Sequence, residues 1–369
     1  MKYFVVLFKF ILKSIYGVLK LLPTNKKKVV LISRQQNTPS LDFNLLYEEI
    51  KKIDKSYKVV FLCKKMSMDV KSLSKYSFHI LRQMYHLATS KTCVVDSYSI
   101  PVSILKHKKS LTVIQIWHAI ATVKKFGYQT LDKKYGRSKK IANLLNMHNN
   151  YDWVISGSVA MNPIFAKTFN VKKSKVKAIG TPRIDYLIHS KDKIKEEILK
   201  KYPDINSKKV ILYAPTFRRN ESISFKKILK TVDLNKYNLV IKTHPVKVQK
   251  VKNDKVYSCP DFTTMELLTI ADYVITDYSA ISIESAILNK PVYFYTYDYE
   301  EYTKNNGLNI DIVKEMKGCC YKNFISLYKK IESNKYDFNQ LKKFRDKYVT
   351  NQKGNSGYIL ANYIINRKW

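Results

Sequence analysis

Residues 271–286 read ADYVITDYSAISIESA, and this stretch decides the fold class. An apolar run at 273–275 stops at a polar cluster of Thr276, Asp277 and Ser279, and apolar positions then recur at helical spacing. The pattern predicts a strand followed directly by a helix whose first turn is capped by a hydroxyl or carboxylate group. Because the N–H groups at a helix start attract phosphate, the junction is either a phosphate site or an ordinary helix cap.

Short apolar runs alternate with helical patterns on both sides of this stretch, which is typical of an α/β fold with open sheets. We predict strands at 29–33, 58–63, 92–96, 111–117, 151–156, 175–179, 210–214, 238–243, 255–257, 272–276 and 291–295. We predict helices near 40–52, 82–90, 161–169, 191–202, 222–231, 263–270, 279–289 and 340–348.

The strands fall into two groups, so the sequence predicts two domains. We expect them at 24–180 and 209–369, joined by a connecting segment at 181–208, with the tail beyond 348 able to pack on either domain. Ligands in such sheets bind beyond the carboxyl ends of the strands, here in a cleft between the domains.

The chain of 369 residues has a net charge of +38, from 67 basic and 29 acidic residues. This charge favours an anionic partner, either a membrane surface, nucleic acid or a phosphate-rich polymer. The lysines are dispersed and no zinc-finger or RNP motif accompanies them, so we expect no nucleic-acid partner. The five cysteines form no C-x-x-C pair, which fits a reducing compartment and predicts no metal site.

Residues 1–22, MKYFVVLFKFILKSIYGVLKLL, have a pattern of their own. Their lysines fall within about 40° of one another on a helical projection and leave a broad apolar face. Four charges argue against a membrane-spanning helix, and no signal-peptide cleavage site follows. We predict an amphipathic helix over residues 1–23 that lies in the membrane interface. The alternative is a helix that docks on the protein's own surface.

Polar residues follow four predicted strands at the point where each strand ends. They are His118; Thr216, Arg218 and Arg219; His244; and Asp277 with Ser279. A capped helix start and arginine forks can hold a diphosphate, and a histidine can accept a proton from an attacking hydroxyl group. The sequence has no Walker loop, GxGxxG or HExxH motif and no Asp-x-Asp pair placed as a magnesium site. We therefore predict a shared site that uses no metal or other cofactor.

Six blocks of sequence occur in order within roughly residues 90–300. They are IQIWHAIATVKKFGY (114–128), NPIFAKTF (162–169), IGTPRIDYL (179–187), ILYAPTFR (211–218), IKTHP (241–245) and ITDYSAISIESAILNKPVYFY (275–295). Together they resemble the CDP-glycerol glycerophosphotransferases, the primases and polymerases of teichoic acid and related polymer synthesis.

The resemblance implies a GT-B-like architecture of two Rossmann-type domains, attached peripherally to the cytoplasmic face of the cell membrane. It implies transfer of polyol phosphate from CDP-glycerol, or a related CDP-polyol such as CDP-ribitol, to a hydroxyl group of a polyprenyl-linked acceptor. CMP is released, and no metal is obligatory.

The resemblance also assigns residues. His118 and His244 fall on the family's two motif histidines and are expected to be catalytic, with His118 as the general base. The residues expected to bind the donor diphosphate are Thr216, Arg218, Asp277 and Ser279, and the other substrate-binding candidates are Arg183, Ser282 and Glu284. Departures from the family pattern at Ala119, Thr243, Ala280 and 282–285 leave the polyol and the acceptor open.

Two alternatives remain at this point. A GT-B glycosyltransferase or a sugar-nucleotide epimerase shares the architecture and a helix-held diphosphate. A non-catalytic basic protein that binds a membrane or polyanion would explain the charge alone.

Overall fold

The structure, a computed structural model, describes residues 2–65, 70–218, 225–243 and 253–369. Its strands are β1 Asn25–Ser33, β2 Lys58–Cys63, β3 Ser90–Val95, β4 Thr112–Gln115, β5 Trp153–Ile155, β6 Val176–Lys177, β7 Lys209–Tyr213, β8 Tyr237–Ile241, β9 Val256–Tyr257, β10 Tyr273–Thr276, β11 Val292–Tyr295 and β12 Cys320–Tyr321. The predicted strands are all present, most of them shorter by one or more residues.

The α-helices are α1 Lys2–Leu19, α2 Leu41–Ile53, α3 Val70–Thr89, α4 Ile100–Ile104, α5 Lys139–Leu144, α6 Asn162–Phe169, α7 Pro182–His189, α8 Lys191–Lys201, α9 Lys226–Thr231, α10 Thr264–Leu267, α11 Ile281–Ile287, α12 Tyr299–Asn306, α13 Ile312–Glu315, α14 Phe324–Glu332, α15 Phe338–Tyr348 and α16 Ser356–Asn366. The sequence pattern did not predict the first half of α3 or the helices α4, α5, α7, α12, α13, α14 and α16.

The chain divides into two compact units. The first comprises Met1–Ile120, Phe126–Asp185 and Lys353–Trp369, and the second comprises Ala121–Lys125 and Tyr186–Gln352. The predicted limits differ from these in three ways. The tail 353–369 belongs to the first unit, the short segment 121–125 belongs to the second, and the boundary near 185 falls inside α7.

The first unit is built on a sheet with strand order β2-β1-β3-β4-β5-β6, in which all neighbouring strands are parallel. Its strands are nearly continuous apolar runs because helices cover both faces. Helix α16 joins this core: Leu360 and Ile364 are buried in one cluster with Phe43 and Leu46 of α2. This packing is why the tail belongs to the first unit.

The second unit has a sheet of order β12-β11-β10-β7-β8-β9, again parallel throughout. All five residues of β8 and all four of β10 are buried. The segment 121–125 adds to this unit through an antiparallel bridge between Lys124 and Leu308, and Asn309 N donates to Val123 O at 2.7 Å.

The connecting segment 181–208 contains helices α7 and α8, of which the sequence predicted α8 and missed α7. Pro182 occupies the first turn of α7, where a missing N–H costs nothing and a fixed φ favours the helix. Gly180, two residues before Pro182, has a φ of 84°.

Helix α1 forms over the predicted N-terminal region. Leu12 and Tyr16 on one side are buried, and the Tyr16 hydroxyl group lies 2.8 Å from Nδ1 of His107 in the same unit. On the other side Tyr3, Phe10 and Val18 are 87%, 67% and 68% exposed. The helix therefore docks on its own unit through one side, as the alternative interpretation expected, while the opposite side stays apolar and open. No helix in the described part of the chain combines the length and hydropathy needed to cross a bilayer.

Candidate functional site

The first unit presents His118 at the carboxyl edge of its sheet, just after β4. The residue before it, Trp117, has a φ of 55°, a left-handed conformation that costs a bulky L-residue roughly 1–2 kcal/mol. The Trp117 ring stacks on Phe126 with centroids 4.4 Å apart and contacts the His118 ring at 3.9 Å. Backbone strain of this kind persists only where the surrounding structure enforces it. The left-handed conformation of Trp117 directs the chain at His118 away from the direction of β4.

Two groups lie within hydrogen-bond distance of Nδ1 of His118. The backbone oxygen of Asp96 lies 3.1 Å away and can only accept, so a bond to it places the proton on Nδ1. The side-chain amide nitrogen of Gln35 lies 3.2 Å from the same atom, and the tautomer with the proton on Nδ1 requires this amide to turn its oxygen toward the ring. Nε2 is then the basic nitrogen. Burial lowers the pKa of His118 to about 4, with nearby Arg183 and Arg34 adding to the effect, so the ring is neutral at physiological pH.

Arg183, on helix α7, contacts the backbone of His118 just after β4. Its Nη1 donates to the His118 backbone oxygen at 3.0 Å, while its Nε donates to Asp42 at 2.7 Å. Asp42, in the first turn of α2, is buried and also accepts from the Arg183 backbone N–H at 2.8 Å. Arg183, predicted as a substrate-binding candidate, thus positions the histidine in this structure.

A buried carboxyl group lies beside the histidine. Asp96 follows β3, the neighbour of β4, and is 1% exposed, with the hydroxyl groups of Ser33 and Ser97 as polar neighbours. Burial raises the pKa of Asp96 to about 6 in spite of those hydroxyl groups. Such a perturbed group at the edge of a sheet is typical of functional sites, and the sequence pattern did not single it out.

The second unit has a corresponding cluster after β7, β10 and β11, which are adjacent in its sheet. Arg218 Nε donates to Asp298 Oδ2 at 2.7 Å, and Nη2 donates to Asp298 Oδ1 at 3.2 Å and to Asp277 Oδ2 at 3.1 Å. Nη1 donates to the backbone oxygen and the hydroxyl group of Thr216. The guanidinium has five N–H groups, and this network engages every one of its nitrogens.

The charge on Arg218 is secured by these carboxylates. Burial alone would lower its pKa, but Asp277 and Asp298 outweigh burial and raise it. The guanidinium carbon also lies 4.6 Å from the centre of the Tyr302 ring, which stacks on Tyr278 with centroids 4.1 Å apart. Arg218 therefore ties three strand-end loops together.

Asp277 is not a helix cap. Its carboxylate accepts from the Thr216 N–H at 3.0 Å, from the Thr216 hydroxyl group at 3.0 Å and from the Tyr278 N–H at 2.7 Å. Helix α11 begins later than predicted, at Ile281, and its N-cap residue Ala280 makes no side-chain cap bond. The interpretation of the junction as a carboxylate-capped helix is wrong, because Arg218 and the β7 loop hold the Asp277 side chain.

Ser279 lies at the open end of this cluster and is half-buried, with its Oγ 3.4 Å from the Ile281 N–H. Ser282 and Glu284, the other two candidates in this stretch, are buried on α11, and the Ser282 hydroxyl group donates to the Ser279 backbone oxygen at 2.8 Å. Ser282 therefore shapes the loop that carries Ser279.

Lys124 is a further charged residue of the cluster formed by Arg218 and Asp277 in the second unit. It is half-buried, and it lies near enough to Asp277 and Arg218 for both to act on it electrostatically. Burial lowers the pKa of Lys124, Asp277 opposes that shift and Arg218 adds to it.

The sequence model of the family described as CDP-glycerol:poly(glycerophosphate) glycerophosphotransferase matches residues 14–366. The chain belongs to this family. His118, Arg183, Thr216, Arg218, Asp277 and Lys124 fall within the blocks that carry the family resemblance, whereas Asp42, Asp96 and Asp298 lie outside them.

Two related proteins are similar over nearly the whole chain. The teichoic acid ribitol-phosphate primase of Bacillus spizizenii is 30% identical over 377 residues, covering 96% of each chain. The teichoic acid glycerol-phosphate primase of Bacillus subtilis is 31% identical over 353 residues, covering 92% of this chain and 88% of the primase. The solved structure of the wall teichoic acid polymerase TagF matches the fold with a TM-score of 0.76 at 19% identity, covering 99% of this chain and 97% of TagF.

These findings confirm the predicted family, the GT-B-like fold class and the reaction class. The protein is a transferase that moves polyol phosphate from a CDP-polyol in teichoic acid synthesis. Membership of the glycerophosphotransferase family removes both the glycosyltransferase or epimerase alternative and the non-catalytic alternative.

Two of the predicted polar residues, Arg219 and the second family histidine, His244, lie outside the described residues. Sequence reasoning missed Asp42, Asp96, Lys124 and Asp298. Asp96 is the last residue of one predicted strand and Asp298 comes soon after another, so position alone could have raised them as candidates. Lys124 stands six residues after His118 in the first family block, where the basic pair 124–125 was a visible signal.

Proposed function

We propose that this transferase moves glycerol phosphate or ribitol phosphate from the CDP-polyol to a hydroxyl group of a lipid-linked acceptor. The acceptor oxygen bonds to the phosphorus that bears the polyol, and the bond from that phosphorus to the bridging oxygen breaks. CMP leaves with the bridging oxygen and its electron pair. The proton of the acceptor hydroxyl group passes to the enzyme.

The observation that carries the proposal is the state of His118. Its Nδ1 is engaged by a backbone oxygen at 3.1 Å, its pKa is lowered to about 4, and Arg183 anchors its backbone. A neutral, rigidly held imidazole with Nε2 as its basic nitrogen suits general-base catalysis on a hydroxyl group. We assign the acceptor proton to His118 Nε2.

The donor phosphates are assigned to the loop at 277–280 and to Lys124. Among the described residues, the backbone N–H groups of Ser279 and Ala280 find no acceptor, so both are available to phosphate oxygens. The ammonium group of Lys124 supplies positive charge at the same cluster. Thr216, Arg218 and Asp277 keep that loop in shape, and Ser282 supports it from α11. The family resemblance adds His244 to the donor side, on sequence alone.

Attachment to the cytoplasmic face of the membrane is assigned to α1. Its open side exposes Tyr3, Leu7, Phe10 and Val18, and the net charge of +38 favours an anionic surface. A protein attached peripherally at such a surface can reach a lipid-linked acceptor without spanning the membrane.

The test is release of CMP from CDP-glycerol and from CDP-ribitol, each offered with a lipid-linked acceptor and with its glycerophosphate-extended form. Release that requires both the donor and an acceptor supports the proposal, and the preferred pair identifies the polyol. No release from either donor with either acceptor would contradict it. Since the assigned charges are Lys124 and backbone N–H groups, release is expected to persist in EDTA.

A further inference from the structure

The first unit contains a second cationic feature at the opposite edge of its sheet from His118. A cavity of about 500 Å³ is lined by the segments that precede β4, β5 and β6. Its lining residues include the lysines Lys106, Lys108, Lys109, Lys172 and Lys175 and the histidines His107 and His148. Nothing in the transfer reaction proposed above uses this edge.

The positive charge of the cavity is largely unneutralised. Its one acidic lining residue, Asp152, already accepts from the Val113 N–H at 2.8 Å. In the part of the chain that the structure describes, Lys106, Lys109 and Lys172 are exposed and form no ion pair. Three like charges left together at one cavity favour an anionic ligand.

Two other lysines are fixed in place and shape the walls. Lys175 Nζ donates to the Tyr151 backbone oxygen at 2.8 Å. Lys108 Nζ donates to the Leu22 backbone oxygen at 2.5 Å and to the Thr24 hydroxyl group at 3.3 Å. The cavity rim is therefore joined directly to the chain that leaves α1.

A second bond joins the cavity to α1 itself. The Tyr16 hydroxyl group lies 2.8 Å from Nδ1 of the lining residue His107, and the two rings meet edge to face with centroids 5.5 Å apart. Tyr16 is on the buried side of α1, whose other side exposes Phe10 and Val18. An apolar surface and a cationic cavity are thus held together within one unit.

We propose that this cavity binds the phosphate headgroup of an anionic phospholipid while the apolar side of α1 enters the lipid interface. The proposal rests on the membrane attachment assigned to α1 above and adds to it a discrete headgroup site. A cavity of this volume is in the range that takes a small ligand, and lysine ammonium groups on flexible stems suit a phosphate as point charges. The neighbouring apolar surface favours a lipid over a soluble polymer of polyol phosphate.

The experiment measures binding of the full chain to vesicles of phosphatidylcholine alone and of phosphatidylcholine with phosphatidylglycerol. The test variant carries Lys106→Gln, Lys109→Gln and Lys172→Gln, at three exposed lysines of the cavity. The matched control carries Lys317→Gln, Lys335→Gln and Lys343→Gln, three exposed lysines of the second unit.

The test variant should bind the phosphatidylglycerol vesicles at least about tenfold more weakly, because each lysine near an anionic surface contributes substantially to binding. Its binding to phosphatidylcholine alone should equal that of the parent chain, and the control should stay within about twofold of the parent on both vesicles. A phosphatidylglycerol analogue with a photoreactive headgroup should label segments 106–111, 149–152 and 170–175. Equal weakening in both variants, or labelling elsewhere, would overturn the headgroup site.

A third variant separates this site from the membrane attachment on which it rests. Leu7→Ser, Phe10→Ser and Val18→Ser should weaken binding to both vesicle types. Unchanged binding by that variant contradicts attachment through α1, whereas loss by that variant with unchanged binding by the cavity variant contradicts the headgroup site alone. Lysine-dependent binding of soluble poly(glycerol phosphate) without vesicle binding would make the cavity a polymer site and overturn the lipid assignment.

Discussion

Arg218 and Asp298 form a two-point ion pair, with Nε 2.7 Å from Oδ2 and Nη2 3.2 Å from Oδ1. Arg218 follows β7 and Asp298 follows β11, the two strands that flank β10 in the sheet. The pair therefore spans the end of β10 and meets Asp277 there. Arg218, predicted to bind the donor diphosphate, thus also fixes the shape of the loop to which we assign the donor phosphates.

Replacing Arg218 should cost stability. Arg218→Met leaves the buried Asp277 and the half-buried Asp298 without their cation, and breaking a buried pair in this way typically costs about 3–5 kcal/mol. The free energy of unfolding in urea measures the loss. Arg345→Met, which removes the partly exposed pair with Asp346, should change it by less than about 1 kcal/mol. Equal stability of Arg218→Met and the parent protein would mean that the network does not stabilise the loops.

His118→Ala should lower CMP release about 10²–10⁴-fold, the usual cost of removing a positioned proton-transfer group. Binding of the CDP-polyol should stay measurable, since the donor is assigned to the second unit. His189→Ala, at an exposed histidine, is the control and should retain turnover. Near-normal turnover by His118→Ala would rule out its role as the base.

The pH profile of kcat/KM tests the same residue independently. A general base works only when unprotonated, and the lowered pKa of His118, about 4, keeps it unprotonated well below the ordinary range of histidine. The acid side of the profile should therefore fall toward about pH 4 rather than near 6.5. An acid limb near 6.5 would indicate that a histidine in an ordinary environment carries the reaction.

Lys124→Gln should raise KM for the CDP-polyol by about tenfold, because one charged hydrogen bond to phosphate is lost. Lys125→Gln, the adjacent lysine, is the matched control and should leave KM near the parent value. Because burial lowers the pKa of Lys124, donor affinity in the parent should decline at a lower pH than an ordinary lysine would give. A KM unchanged in Lys124→Gln would remove this lysine from the donor site.

Asp96 should make stability depend on pH. Its pKa rises on folding from 3.8 to about 6, so the folded state binds the proton more tightly than the unfolded state does. The protein therefore loses about 3 kcal/mol of stability as pH rises from about 4 to about 6, and the loss is complete above that range. Asp96→Asn should be more stable than the parent at pH 7.5, with the difference vanishing below about pH 4. Thermal unfolding across this range measures it, with exposed Asp192→Asn as the charge-matched control. A pH-independent difference would contradict a buried, titrating Asp96.

The fold could be predicted from the sequence because a parallel sheet covered on both faces produces a pattern that can be recognised along the chain. Each strand is a short apolar run, and each strand end is a polar break, as at Thr276–Ser279. The helix α16 could not be assigned to a unit in this way. Its apolar residues indicate a buried face, but only the contact of Leu360 and Ile364 with α2 decides which core buries them.

The candidate site likewise contains residues that the sequence predicts and residues that only the structure reveals. His118, Thr216, Arg218, Asp277 and Ser279 are visible in the sequence because they end strands or occupy family blocks. Asp42 and Asp298 are separated from their partner arginines by 141 and 80 positions, so no local pattern connects them. The tautomer of His118 likewise depends on the backbone of Asp96, which belongs to the adjacent strand end.

The sequence by itself determined the two-sheet α/β architecture, the family and the candidate site residues, because periodicity and short motifs are local properties of the chain. Only the tertiary structure decided which partners those residues contact. It brings Arg218 and Asp277 together, and it leaves the N–H groups of Ser279 and Ala280 unpaired among the described residues. The physical reason is that hydrogen bonding and burial depend on which strand ends become neighbours, and parallel sheet order is set by long-range packing rather than by adjacent residues.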